Sequence, residues 1–210
     1  DSTDNAVTEV WRKSGESWYY LGEDGNMVKD ATVSVNDDTF YLDTGGAMVT
    51  ARWVSVKNED GSDDWYYFGN EGKAYKGKEG KVYTHEIEGK RYLFDEEGVM
   101  QTGYFNLEGN SVDDESSPFK EGMYYFAPDG VMYQNQWLKY EQVGDHAGYS
   151  ELGQRNYNEY DEMWLYFGAK GRKYYATSTD QSLQRDIDGK SYLFDESGVM
   201  IPQLSMRNAN

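Results

Sequence analysis

Six tryptophans fall into three pairs along the chain: Trp11 with Trp18, Trp53 with Trp65, and Trp137 with Trp164. Two chemistries suit paired indoles. A quaternary ammonium is held by cation–π attraction, about 0.5–2 kcal/mol per ring and more when water is excluded. A glycan instead stacks the apolar C–H face of a sugar on an indole or phenol, while rim hydroxyls, amides and carboxylates take its hydroxyl groups. The same rings could also do no more than pack one structural element on the next.

Other chemistry is thinly provided. The chain has two histidines, and a Ser150, His146, Asp145 set can be drawn on paper, but residues so close in sequence rarely adopt triad geometry and no nucleophile-elbow motif accompanies them. Nothing singles out a pair among the 38 acidic residues as the carboxylates of a glycosidase cleft. The acidic run around Glu59, Asp60, Asp63 and Asp64 lacks the ligand spacing of a calcium loop and reads as a solvated turn at Gly61. Asp113, Asp114 and Glu115, beside Ser116, Ser117 and Pro118, have the composition of an exposed loop. No metal site, cofactor or catalytic residue is expected, so the chain is expected not to be an enzyme.

The elements that carry these rings must be short and closely turned. Aliphatic residues are few, whereas the 210 residues include 20 Tyr, 23 Gly, 8 Phe and 6 Trp, so burial has to rely on aromatic rings between turns. A formal charge of -18 argues against nucleic acid or an anionic membrane as partner, since both require a positive surface, and favours a cationic or neutral ligand. Cysteine is absent, which excludes a disulfide framework and thiolate metal sites. No apolar run is long enough to cross a membrane as a helix. The polar start DSTDNAVTEV lacks the basic and apolar regions of a signal peptide, as expected of a mature secreted chain or a trimmed one.

Internal repetition organises the whole sequence. Seven ungapped copies align on a turn glycine: WYYLGEDGNM from Trp18, TFYLDTGGAM from Thr39, WYYFGNEGKA from Trp65, RYLFDEEGVM from Arg91, MYYFAPDGVM from Met123, WLYFGAKGRK from Trp164 and SYLFDESGVM from Ser191. Each glycine follows a short polar stretch, as a tight turn with one positive φ requires, so each copy is expected to form strand, turn, strand. The expected fold is all-β, a solenoid of about seven β-hairpin repeats. It forms a single array over 1–210, with hairpins near 11–30, 31–50, 53–77, 82–103, 104–134, 137–176 and 182–203 and an irregular insertion near 141–162.

Strand alternation sorts the columns of this alignment. Positions two and four are apolar or aromatic in every copy, from Tyr19 and Leu21 to Tyr192 and Phe194, and form the expected core between hairpins. Position one holds Trp, Thr, Trp, Arg, Met, Trp and Ser in turn, a mixture that no packed core accepts, and so lies at a surface or groove. Two residues past the glycine, five of seven copies carry Met, a flexible thioether suited to an adaptable wall. Copies with a first-position Trp also have an upstream Trp, and copy five has Tyr104 there instead. If the upstream Trp lies on the preceding strand, two indoles flank a groove that the next hairpin closes with a Tyr and a Met.

These features resemble the cell-wall-binding repeats of Gram-positive surface proteins, whose pattern runs Gly-Trp, spacer, Trp-Tyr-Tyr-Phe, turn, Gly, apolar residue, Met. The family includes choline-binding modules of autolysins, glucan-binding repeats of glucansucrases and carbohydrate-binding repeats of secreted toxins, all β-hairpin solenoids. The stretch IEGKRYLFDEEGVMQTGYF looks most like the toxin and glucan-binding type. In the choline-binding type, two Trp and a Tyr, often with a Met, cage a quaternary ammonium. Carried over, the resemblance implies ligand-binding groups of Trp11, Trp18 and Tyr41; of Trp53, Trp65, Tyr92 and Met100; and of Trp137, Trp164, Tyr192 and Met200. The chain departs from the pattern at Val10, Arg52 and Gln136, where the family has Gly, and in its irregular spacers. The implied function is a non-catalytic module that binds a cell-wall glycan, a glucan or a choline-bearing polymer, secreted or at the cell surface, with further domains in a longer native protein. The alternative is a structural or adhesion spacer that contacts a protein partner.

Overall fold

In a computed structural model of the chain, the described residues are 7–112, 121–140, 163–178 and 182–202. They hold fifteen strands and, among the described residues, no helix. Six antiparallel hairpins pair β1 (Val10–Ser14) with β2 (Ser17–Leu21), β3 (Ala31–Val35) with β4 (Asp38–Leu42), β5 (Arg52–Lys57) with β6 (Asp63–Phe68), β7 (Thr84–Ile87) with β8 (Lys90–Leu93), β12 (Gln136–Tyr140) with β13 (Met163–Phe167), and β14 (Leu183–Ile187) with β15 (Lys190–Phe194). Between β8 and β12, β9 (Gly103–Phe105) pairs with both β10 (Ser111–Val112) and β11 (Tyr124–Phe126). The result is seven successive hairpin units, the repeat of an all-β hairpin solenoid. The insertion near 141–162, with Asp145, His146 and Ser150, and the acidic run Asp113 to Pro118 lie outside the described residues.

Two compact units divide the chain, one comprising Asp1–Lys78 with Phe94–Met100 and the other Glu79–Leu93 with Gln101–Asn210. The same local plan recurs in both. Paired strands come from the segment before each motif and the first residues of the motif itself, as in Trp11 opposite Tyr20, Trp53 opposite Tyr67 and Trp137 opposite Tyr166. This corrects the expected strand, turn, strand within each copy. Past the motif glycine only a single bridge returns, such as Leu21 to Met27 and Phe194 to Met200.

The reason is a division of backbone hydrogen bonds that recurs down the chain. The residue ending each motif from the second copy onward donates its N–H to the position-one carbonyl of the hairpin before it: Met48 to Trp18 at 2.7 Å, Met100 to Trp65 at 2.8 Å, Met132 to Arg91 at 2.8 Å and Met200 to Trp164 at 2.8 Å. The residue after it turns back to its own hairpin, as Val49 does to Tyr41 at 3.0 Å and Tyr174 to Tyr166 at 2.9 Å. A tail so divided cannot continue a ladder, but it satisfies backbone groups that stacked hairpins would otherwise bury unpaired.

The tail side chain lies over the next turn glycine. A Cβ on Gly171, whose φ is 77°, would come within 2.6 Å of Met132 Sδ. Gly171→Ala is therefore expected to lower stability by about 1 kcal/mol through its left-handed backbone and displacement of Met132, seen as a fall in the thermal midpoint; an unchanged midpoint would show that the turn can re-form with negative φ.

Position four supplies the spine of the core. Leu42, Phe68, Phe94, Phe126, Phe167 and Phe194 are all at most 1% exposed, each burial contributing on the order of 2 kcal/mol. Leu21, in the first copy, is half-buried.

Candidate functional site

Register places both indoles of a pair on one face of their hairpin. Trp11 stands opposite Tyr20 and Trp18 opposite Lys13, and Trp18 and Tyr20 are two residues apart on β2. The third and sixth hairpins repeat this, with Trp65 opposite Ser55 and Trp164 opposite Lys139. The two indoles nonetheless meet different surroundings.

The upstream indoles are packed. Trp11 meets Tyr20 at a centroid distance of 5.1 Å and Phe40 of the next hairpin at 5.0 Å, both edge-on. Trp53 meets Tyr67 at 5.2 Å and stacks on Phe94 at 5.8 Å. Trp137 touches Tyr166 and Tyr192, each at 4.9 Å, and stacks on Phe194 at 5.9 Å, in a cluster that also takes in Met200. Two of the three position-one indoles are open: Trp18 is 41% exposed and Trp65 is 42% exposed. Trp164 is half-buried. The ring of Trp18 already carries an internal cation, with Lys13 Nζ 5.8 Å from its centroid.

Of the expected groups, the last is brought together most fully, with Trp137, Tyr192 and Met200 in one cluster and Trp164 joined through its carbonyl to the Met200 N–H. In the second group, Met100 is tied to Trp65 by the same backbone bond, and Trp53 lies on the same hairpin face. Tyr92 belongs to the other compact unit, where it is buried opposite His85; burial, with Asp129 and Glu88 nearby, raises its phenol above the ordinary range. The first group needs correction. Tyr41 does not close on Trp11, because Phe40 takes that place and the neighbouring residue on a strand points to the opposite face. Tyr41 packs instead near Phe68 at 6.0 Å and donates its hydroxyl to Asp30; burial first, and then this bond and the charges of Asp30 and Asp43, push its phenol up to about 12.

Two aromatic columns escape the motif reading. Position three supplies the ring under each packed indole, as Tyr20, Tyr67 and Tyr166. One residue past the motif, Tyr75, Tyr133 and Tyr174 continue that stack onto the next hairpin, meeting Phe94 at 6.3 Å, Phe167 at 6.1 Å and Phe194 at 5.8 Å. They occur in three of the four copies with an aromatic residue upstream (Trp53, Tyr104 and Trp137), the first copy carrying Val28 instead, and that partial covariation marks them in the sequence.

The acidic turn of the third hairpin is engaged internally. Asp60 accepts from the Ser62 N–H at 2.8 Å and its hydroxyl at 2.6 Å, Asp63 from Ser55 at 3.0 Å and Lys57 at 3.2 Å, and Asp64 from Asn58 at 3.2 Å. These donors hold the Asp60 and Asp63 carboxyls below their usual range, Asp60 chiefly through Ser62 and Asp63 chiefly through Lys57. The run closes a hairpin turn.

Comparison with known proteins finds a matching repeat at the start of the chain and a similar fold along most of it. Residues 7–53 match the choline-binding repeat family. Glucosyltransferase-S of Streptococcus mutans is 26% identical over 198 residues, 93% of this chain and 12% of the relative's length. Glucosyltransferase-I of Streptococcus downei is 27% identical over 160 residues, 60% of this chain and 10% of its own length. The chain thus spans about a tenth of these curated relatives. Among solved structures, the modular autolysin LytC from Streptococcus pneumoniae aligns with a TM-score of 0.57 at 19% identity, covering 93% of this chain and 34% of LytC. Choline binding protein F from the same organism aligns at 0.53 and 21% identity, covering 93% and 47%. Both likenesses are of fold. By sequence in residues 7–53, and by fold along most of the chain, the protein resembles the choline-binding repeat solenoids, and the hairpin matched there is the one that recurs through the described residues.

Proposed function

We propose that the chain is a non-catalytic binding module that attaches its parent protein to a polysaccharide at a Gram-positive cell surface. The observation that carries this is the division within the first two tryptophan pairs: Trp11 and Trp53 are locked into the hairpin stack, and on the same faces Trp18 and Trp65 remain more than 40% exposed. A singly exposed ring is ordinary, but two indoles left open at the same position of repeated hairpins form a regularly placed set that suits a repeating ligand. Its form favours a glycan, a wall polysaccharide or a glucan, over a choline cage. A sugar needs one open flat ring, whereas a caged ammonium needs several rings around it, and among the described residues Trp18 and Trp65 contact no other ring. Lys13 also places a competing ammonium over Trp18. Trp65, opposite Ser55, is the freer platform. Several weak platforms on one chain gain by avidity on a repeating polymer.

Titration followed by tryptophan fluorescence tests this. Soluble glucan or wall polysaccharide is expected to give a saturable change that Trp65→Ala reduces several-fold, with the circular dichroism spectrum unchanged. A saturable response to choline chloride, absent with sodium chloride, would replace the glycan with a choline-bearing polymer. Silence with all of them would favour the spacer that contacts a protein partner.

A further inference from the structure

In the second compact unit a pocket of about 380 Å³ is lined by Thr84, Arg91, Tyr124, Met132, Gln134 and Lys170, together with Val82 and Ala169. Register identifies where it lies in the repeat. Arg91 is position one of the fourth copy, the place of Trp18, Trp65 and Trp164. Thr84 stands opposite Leu93, the place that Trp11, Trp53 and Trp137 take in their hairpins. Tyr124 is position two of the following copy and Met132 ends that copy. The pocket therefore occupies an aromatic-pair position from which both indoles have been exchanged, one for a guanidinium and one for a hydroxyl.

That exchange inverts its chemistry. Arg91 Nη1 lies 3.4 Å from Thr84 Oγ1 and Nη2 lies 3.3 Å from Glu86 Oε2, which fixes the guanidinium on the pocket wall; Glu86 itself does not line it. Lys170 adds a second cation on an exposed turn, and none of the lining residues is acidic, in a chain whose formal charge is -18. A quaternary ammonium would meet two like charges there. Guanidinium forks pair well with carboxylate and phosphate, Gln134 adds an amide, and Tyr124 with Met132 offers an apolar wall for a sugar ring. The volume suits a single sugar unit.

We propose that this pocket binds an anionic sugar unit, its carboxylate or phosphate held by Arg91 and Lys170 and its ring against Tyr124 and Met132. No tryptophan lines this pocket, and the proposal does not depend on the exposed indoles.

The test follows the Met132 methyl resonance of the intact chain during titration with glucuronate, glucose 1-phosphate, glucose and choline, with the indole resonances reporting the aromatic sites at the same time. Glucuronate or glucose 1-phosphate is expected to bind at least about tenfold more tightly than glucose, as a charge-assisted contact provides, and to weaken as salt is added. Arg91→Met should remove that preference, and Lys170→Ala, on an exposed turn where folding is not at stake, should reduce it. Preference for the uronate assigns a carboxylate-bearing polysaccharide and preference for the sugar phosphate a phosphodiester polymer. Binding of neither, affinity no better than that of glucose, or a preference untouched by both variants would overturn the proposal, whatever the indole resonances do.

Discussion

Trp137→Ala is expected to destabilise the protein by about 3 kcal/mol, whereas Trp65→Ala changes stability by less than about 1 kcal/mol, although both belong to the same kind of pair. Trp137 loses edge contacts to Tyr166 and Tyr192 and its stack on Phe194, leaving a void beside a phenylalanine that is fully buried. The surrounding rings are held by their own hairpins and can close that void only in part. Trp65 is 42% exposed and its truncation opens no cavity. Urea denaturation measures both, and equal losses would show that the exposed indole is as much a part of the stack as the packed one. The contrast also governs how binding data are interpreted, since a Trp137 variant can lose affinity merely by unfolding its hairpin.

The pairing of tryptophans is legible in the sequence because copies are ungapped and upstream and position-one residues change together. Their different fates are not. Which indole packs depends on the register of a strand that lies before the motif, and that register is set by turns ahead of the motif, such as the two-residue Gly15-Glu16 of the first hairpin, where Gly15 has positive φ. A motif aligned on its later glycine conceals those turns. The same omission assigns Tyr41 to the first pair: without the register, Phe40 and Tyr41 are adjacent aromatics of equal claim, and only the alternation of faces on β4 separates them. Position four is easier, since an invariant Phe or Leu among variable neighbours has few places to go but the core. The Arg91 pocket lies between these cases. Its mixed column marks position one as surface or groove, but the cation there gains meaning only when Thr84, Tyr124 and Lys170 come together around it.

Lys173→Met is expected to stabilise the protein by about 2 kcal/mol at neutral pH, with the gain disappearing as the solution becomes alkaline. Lys173 sits in the column that five copies fill with Met, it is 2% exposed, and its stem covers Gly198 as Met132 covers Gly171: a Cβ on Gly198 would lie 2.8 Å from Lys173 Cδ. Burial depresses its ammonium from 10.5 to about 7, against the opposing attraction of Asp195. A lysine depressed on folding binds fewer protons in the folded chain than in the unfolded one between those two values, so stability rises with pH across that window. The penalty of burying the charge is therefore complete below about pH 7 and gone by about pH 10.5. Methionine carries no such penalty. Asp195 does not need the lysine to hold its turn: it accepts the Ser197 and Val199 N–H groups at 2.9 Å each, as Asp43 accepts those of Gly45 and Ala47 and Asp95 those of Glu97 and Val99, in turns that Met27 and Ala74 cover without a cation. Thermal midpoints of the two proteins from pH 6 to 10 should therefore converge as pH rises. A variant less stable than the parent at neutral pH would show that the Asp195 attraction outweighs desolvation of the ammonium, and that this lysine holds the last turn in place.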